Sequence, residues 1–238
     1  MADQLSSAVS FEVTDGVGVI RVDDGKANAL GHEAIDAIGV GLDRAETEAG
    51  AVLLIGREGK FCAGFDLATM TGGDIDATRA LLGAGAELSL RLYLHPQPVV
   101  MAATGHALAL GAILLMAGDV RIGADGPYKI GTNEVAIGLP VPRFAVALAQ
   151  DRLSRRHLQQ ATQFAQVYDP AGAVDAGYLD RTVGPEDLEA DALATASAAA
   201  SGLKRGAFAA TRGYMRNTTA EAFRAGLVLD LQDFTVEA

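Results

Sequence analysis

With 238 residues, half of them hydrophobic and 21% charged, the chain carries enough apolar material for one large domain with a substantial core, which argues against a disordered polymer. A formal net charge of -11 excludes a general nucleic-acid binder, because such proteins need a basic surface to neutralise phosphates; an anionic ligand would need its own local cluster of Lys and Arg. The single cysteine, Cys62, excludes an internal disulfide and fits a reducing compartment.

The opening residues, MADQLSSAVSFEV, lack a basic start followed by an apolar block, so no signal peptide is read and a cytoplasmic location is expected. Val9–Thr14 and Val17–Val22 read as a hairpin turning at Asp15-Gly16, an Asp-Gly pair between β-rich runs. Ile35, Ile38, Leu42 and Ala45 recur at helical spacing and predict a helix over His32–Glu48, followed by a short buried strand, Ala51–Ile55. A long helix is predicted over residues 78–92, and His95-Pro96-Gln97-Pro98 then breaks the chain before a strand at Val99–Ala103. A turn at Gly105 leads into a small-residue helix ending at Ala117, and residues 120–122 form the next strand. The apolar stretch 99–117 is nearly long enough to span a membrane, but Thr104, Gly105 and His106 interrupt it where strand gives way to helix, so no membrane segment is expected. Beyond Pro140 the chain becomes Ala-rich and amphipathic, with helices predicted at 144–153, 156–164, 188–203 and 221–234. Strands with interleaved helices and then a helical tail predict an α/β layered core with an α-helical cap.

Familiar motifs fail on inspection. Gly16-Val17-Gly18 begins like a dinucleotide fingerprint, but the third glycine position holds Arg21 and the pair sits in a hairpin. Gly59-Lys60 lacks the flanking residues of a P-loop, with Leu54 and Phe61 where glycine and a hydroxyl residue belong. There is no Gly-x-Ser-x-Gly elbow. The four histidines, at 32, 95, 106 and 157, have no second ligand at helical or hairpin spacing, so no metal is expected.

Three segments survive. Phe61-Cys62-Ala63-Gly64-Phe65-Asp66-Leu67 and Gly105-His106-Ala107-Leu108-Ala109-Leu110-Gly111 each pass from a strand through a glycine turn into a helix. Such passages aim free backbone N–H groups beyond the sheet; two side by side can hold a negative oxygen, while either alone is also an ordinary tight turn. Ile130-Gly131-Thr132-Asn133-Glu134-Val135-Ala136-Ile137-Gly138 sets a carboxylate among apolar residues. Desolvation there raises a carboxyl pKa toward that of a general base; the other reading is a helix start capped by Thr132 or Asn133, with Glu134 favoured by the helix dipole.

Taken in this order, the three segments resemble the crotonase (enoyl-CoA hydratase/isomerase) superfamily, over most of the chain. Lys26-Ala27-Asn28-Ala29-Leu30 is similar to the family's early Asn-Ala-Leu segment, which lies along coenzyme A. The resemblance implies a spiral of ββα units over residues 1–170 and a C-terminal helical region, 171–238, that builds a homotrimer or a dimer of trimers. It implies an acyl-CoA thioester substrate, with coenzyme A present only as part of it and no separate cofactor. By the same analogy Phe65 and Leu110 donate the two N–H groups, Glu134 is the catalytic acid/base, and Lys26, Ala27, Ala63, Gly64, Phe65, Leu110 and Gly111 line the acyl-CoA. Lys26, Arg57 and Lys60 are the candidate partners of its phosphates, and Asp66 caps the helix that follows.

Three departures matter. Ile113 stands where hydratases of the family place a second glutamate, a pattern similar to one-glutamate 3,2-enoyl-CoA isomerases. Leu110 replaces the usual glycine, and its side chain is expected to narrow the acyl pocket. The sequence ends at Ala238 without the family's basic segment near the adenine, so contacts from that end are not expected. Isomerisation of a 3-enoyl-CoA to a 2-enoyl-CoA is therefore the leading expectation. The rivals are a hydratase with altered water activation, using His106 or Arg143, and a noncatalytic acyl-CoA binder.

Overall fold

The computed structural model describes residues 2–233. The chain opens with an antiparallel meander, β1 (Asp3–Gln4), β2 (Val9–Thr14) and β3 (Val17–Val22), whose hairpin turns at Asp15-Gly16 as the sequence predicts. It continues through β4 (Ala29–Leu30) and α1 (His32–Glu48) into β5 (Ala51–Ile55), β6 (Gly59–Cys62) and β7 (Gly64–Phe65). Next come α2 (Leu67–Thr71), α3 (Ile75–Leu94), β8 (Val99–Ala103), β9 (Gly105–Leu108), α4 (Leu110–Ala117), β10 (Val120–Ala124) and β11 (Ile130–Gly131). After a short 3-10 turn, Val135–Ile137, follow α5 (Arg143–Arg152), α6 (Leu158–Thr162), α7 (Pro170–Ala176), β12 (Arg181–Val183), α8 (Leu188–Gly202) and α9 (Arg205–Asp233).

Three times the chain repeats one step: a strand of the large sheet (β5, β8, β10) followed by a strand of a small sheet (β6, β9, β11). Within each sheet these strands run parallel, so successive repeats stack as turns of a spiral. β5 and β8 are buried along their whole length, which is why both read as unbroken apolar runs rather than alternating ones. Alternation appears instead in what each residue meets. Val52, Leu54, Val99 and Met101 join the core under α1, α3 and α4, while Leu53, Ile55, Val100 and Ala102 face a second layer closed by Leu188, Ala192 and Ala196 of α8. The region after residue 170 is thus helical apart from β12, which adds an edge to the large sheet, and it supplies part of both layers.

Two helices exceed their sequence limits. α3 begins at Ile75 because Asp74 caps it, accepting from the Asp76 and Ala77 N–H groups. α9 begins at Arg205 rather than 221, and Phe234 lies outside the described residues. Its first half lacks an apolar stripe because buried arginines occupy the inward face. Arg212 donates to the His95 and Gln97 carbonyls and to Asp119, and Arg216 donates to Tyr93 O and to Asp119. Asp119 also accepts from Val99 N–H at 2.8 Å, so one carboxylate ties α9 to the entry of β8. Asp119→Asn should therefore lower unfolding free energy by about 2 kcal/mol, read as an earlier urea midpoint with unchanged slope.

Candidate active site

The two glycine turns meet. A Cβ built on Gly64, whose φ is +115°, would lie 3.2 Å from Ala109 Cβ and 4.0 Å from Leu110 N. Gly111 sits tighter still: a Cβ there would fall 2.2 Å from the Cys62 carbonyl oxygen. Only glycine at these positions lets the start of α4 press onto the end of β6 and the start of β7. α4 begins at Leu110 and its first helical bond runs from Ile113 N–H to Ala109 O, so the amides of its first turn have no partner along the helix. On the facing turn, Asp66 N–H bonds Leu30 O of β4 at 3.0 Å. Neighbouring amides of a strand point opposite ways, so the Phe65 N–H is directed away from β4. Asn28 holds this turn from below, donating through Nδ2 to the Val22, Lys60 and Phe61 carbonyls. Asp66 caps α2, accepting from the Thr69 N–H at 2.9 Å, as the sequence suggests.

Ala109 joins β9 to α4 at φ +50° and ψ -119°, a backbone region that suits glycine. Strain of this kind costs about 1–3 kcal/mol. Ala109→Gly is accordingly expected to raise the urea midpoint, with a net gain of about 1 kcal/mol after the added entropy of the unfolded chain.

Glu134 stands at the start of the 3-10 turn without a side-chain cap, so neither Thr132 nor Asn133 plays the capping part that the sequence left open. Thr132 instead anchors the segment: its Oγ1 donates to Ala161 O at 2.7 Å and lies 3.1 Å from the buried Tyr178 hydroxyl. Glu134 is 7% exposed, and its Oε2 makes no hydrogen bond within the protein. Burial pushes its carboxyl up to about 7, its own backbone N–H offsetting this only in part. Glu134, Ala63, Gly64, Phe65, Ala109 and Ile113 line one cavity of about 780 Å³, with Leu67, Met70, Leu82 and Leu139 extending it as an apolar wall. Glu134 is its one ionisable lining residue among the described residues. A carboxyl group near neutrality beside two sets of amides can move a proton to and from carbon while the amides hold the negative oxygen that results.

The sequence profile described as enoyl-CoA hydratase/isomerase matches residues 12–236. The chain belongs to that family, within the crotonase superfamily. Human mitochondrial enoyl-CoA delta isomerase 1 is 30% identical to it over 223 residues, which cover 92% of this chain and 74% of the relative. An enoyl-CoA hydratase/isomerase family protein from Pseudomonas syringae superposes with a TM-score of 0.93 at 35% identity, covering 98% of this chain and 100% of the other. An enoyl-CoA isomerase from Mycobacterium tuberculosis does so with a TM-score of 0.91 at 39% identity, covering 96% and 99%. The ββα spiral with its helical C-terminal region is thus the crotonase fold, and the chain is an enzyme of a family that acts on acyl-CoA thioesters.

Other residues singled out in this crotonase sequence fall into place unevenly. Leu110, expected to narrow the acyl pocket, is fully buried, is not among the residues lining the cavity, and lies against Gly85 of α3. His106 and Arg143 lie off the cavity wall. His106 Nδ1 accepts from the Lys129 N–H at 3.0 Å, and Arg143 pairs with Asp230 and Asp233. Lys26 and Ala27 also stand outside the wall, in a loop that Arg57 braces by donating to Lys26 O at 2.7 Å and pairing with Asp23. Lys60 of β6 lies beside His106, whose pKa is lowered first by burial and then by Lys60 and Lys129. An acidic crotonase thereby gathers three of its four lysines, 26, 60 and 129, across one end of the small sheet. Lys129 escaped sequence reading because its neighbours in the chain carry no charge pattern.

Proposed function

We propose that this enzyme isomerises 3-enoyl-CoA to 2-enoyl-CoA. The observation that carries the reading is the pairing, in one mainly apolar cavity, of Glu134, its single ionisable lining group among the described residues, with Ile113 at the position of a second acid. The thioester oxygen is held by the N–H groups of Phe65 and Leu110. Glu134 removes a proton from C2; the C–H electron pair becomes a C1–C2 double bond and the carbonyl pair moves onto the thioester oxygen, giving a dienolate that keeps its C3–C4 double bond until that pair takes up the proton at C4. The same carboxyl group returns the proton to C4, leaving the double bond at C2–C3. One carboxylate suffices because both carbons present the same face of a planar dienolate. Lys26, Lys60 and Lys129 meet the phosphates of coenzyme A, and the C-terminal helices assemble a trimer or a dimer of trimers. The wall of Leu67, Met70, Leu82 and Leu139 suits an unsubstituted aliphatic acyl chain.

One observation favours hydration as a second reading. Asn133 also lines the cavity, and its Oδ1 is buried without a hydrogen bond, so it offers an acceptor for a water molecule beside Glu134. A noncatalytic binder has less support, because holding a carboxyl at a pKa of about 7 costs about 3 kcal/mol at alkaline pH with no return in affinity. Purified enzyme given a 3-enoyl-CoA should produce conjugated thioester absorbance with unchanged mass. Gain of one water by a trans-2-enoyl-CoA, with no reaction of the 3-enoyl-CoA, would establish the hydratase instead.

A further inference from the structure

The side chains of the two amide-donating residues converge on one point of α3. A Cβ built on Gly85 would lie 2.4 Å from Phe65 Cε1, 2.7 Å from Phe65 Cζ and 3.2 Å from Leu110 Cδ2. The first two separations are shorter than any carbon–carbon contact tolerates. Gly85 is buried in the middle of a 20-residue helix, where glycine is disfavoured relative to alanine, so space rather than helix propensity explains its presence. The helix is fixed at this level by the Ser89 hydroxyl, which donates to Gly85 O at 2.8 Å, and Leu82, one turn earlier, lines the cavity. Gly83 makes the contrast: a Cβ there meets only Leu231 methyls at 3.7 and 3.8 Å, an ordinary contact.

We propose that Gly85 is a positioning residue: the notch it leaves in α3 seats the Phe65 ring and the Leu110 side chain together and so sets the spacing of their backbone N–H groups. This rests on reading those two amides as the enolate donors. The ring and the leucine are each one residue's length from the N–H they carry, so a shift in either side chain moves its donor. A crotonase with leucine at position 110 needs a recess for that side chain, and Gly85 supplies it beside the Phe65 ring.

Gly85→Ala would displace the Phe65 ring by about 1 Å, a scale of misplacement that costs on the order of 10²-fold in rate. The expected result is a kcat lower by about 10- to 100-fold, KM little changed, and a weaker enolate absorbance from bound acetoacetyl-CoA. Gly83→Ala should leave all three as in the wild type. Phe65→Leu keeps the N–H but removes the two ring atoms that meet position 85, so Gly85→Ala in that background should cost almost nothing. Wild-type kcat and enolate signal in Gly85→Ala would overturn the proposal, as would a loss that Phe65→Leu does not relieve. If wild-type enzyme bound acetoacetyl-CoA without forming its enolate, the donor assignment itself would fall, a result visible before any variant is made.

Discussion

Replacing Glu134 by Gln is expected to lower kcat for 3-enoyl-CoA isomerisation by about 10²- to 10⁴-fold while leaving acyl-CoA affinity near its wild-type value. Glutamine keeps the shape of the side chain and cannot carry the proton. The wild-type pH profile should report the same group. Burial raises the Glu134 carboxyl to about 7, and only the ionised form can take a proton from C2, so kcat/KM should fall as pH drops through about 7. Stability runs the other way. A carboxyl whose folded pKa lies above its ordinary value of 4.5 favours the native state fully below about 4.5, and that contribution is lost as pH rises through about 7. At pH 8 the wild type therefore bears a cost of about 3 kcal/mol that Glu134→Gln relieves in part, the buried amide retaining some of it. Urea midpoints should separate at pH 8, with the variant higher, and converge toward pH 5. Equal midpoints at both values would mean that Glu134 is not desolvated, and an unchanged kcat would remove it from the chemistry.

Gly111→Ala should be the most damaging single methyl group in the site. The added carbon would meet the Cys62 carbonyl oxygen at 2.2 Å and Cys62 C and Cβ at 3.0 Å, atoms of a buried strand that cannot move aside. α4 must then lift, and the Leu110 N–H leaves the position proposed for holding the thioester oxygen. Loss of one such donor lowers kcat by about 10²- to 10³-fold. Overpacking adds a stability loss of about 1–3 kcal/mol, so stability and turnover are both to be measured. A stable variant with wild-type kcat would show that the second turn does not serve the reaction.

Much of this molecule was legible residue by residue. The Asp15-Gly16 hairpin, the unbroken apolar runs of β5 and β8 and the helical spacing of α1 are local signals, and the structure reproduces their bounds. Glycine turns after strands, and one carboxylate among apolar residues, likewise stand out because each departs from the composition around it. The α9 start was missed because periodicity reports apolar burial, and α9 buries arginines whose partners, Asp119 and the carbonyls near His95, lie far off in the chain.

Local signals alone specify the order and kind of most elements, two glycine turns able to leave backbone amides free, and Glu134 as a carboxylate that is either desolvated or set at a helix start. Long-range packing is what brings the turns of Gly64 and Gly111 into contact, sets Ile113 and Glu134 on one cavity, rests Thr132 on Ala161 and Tyr178, and turns Leu110 toward Gly85. The physical reason is range. Backbone conformation and hydrophobic periodicity are set by neighbours within a few residues, whereas desolvation, amide spacing and side-chain seating depend on segments that meet only when the spiral closes.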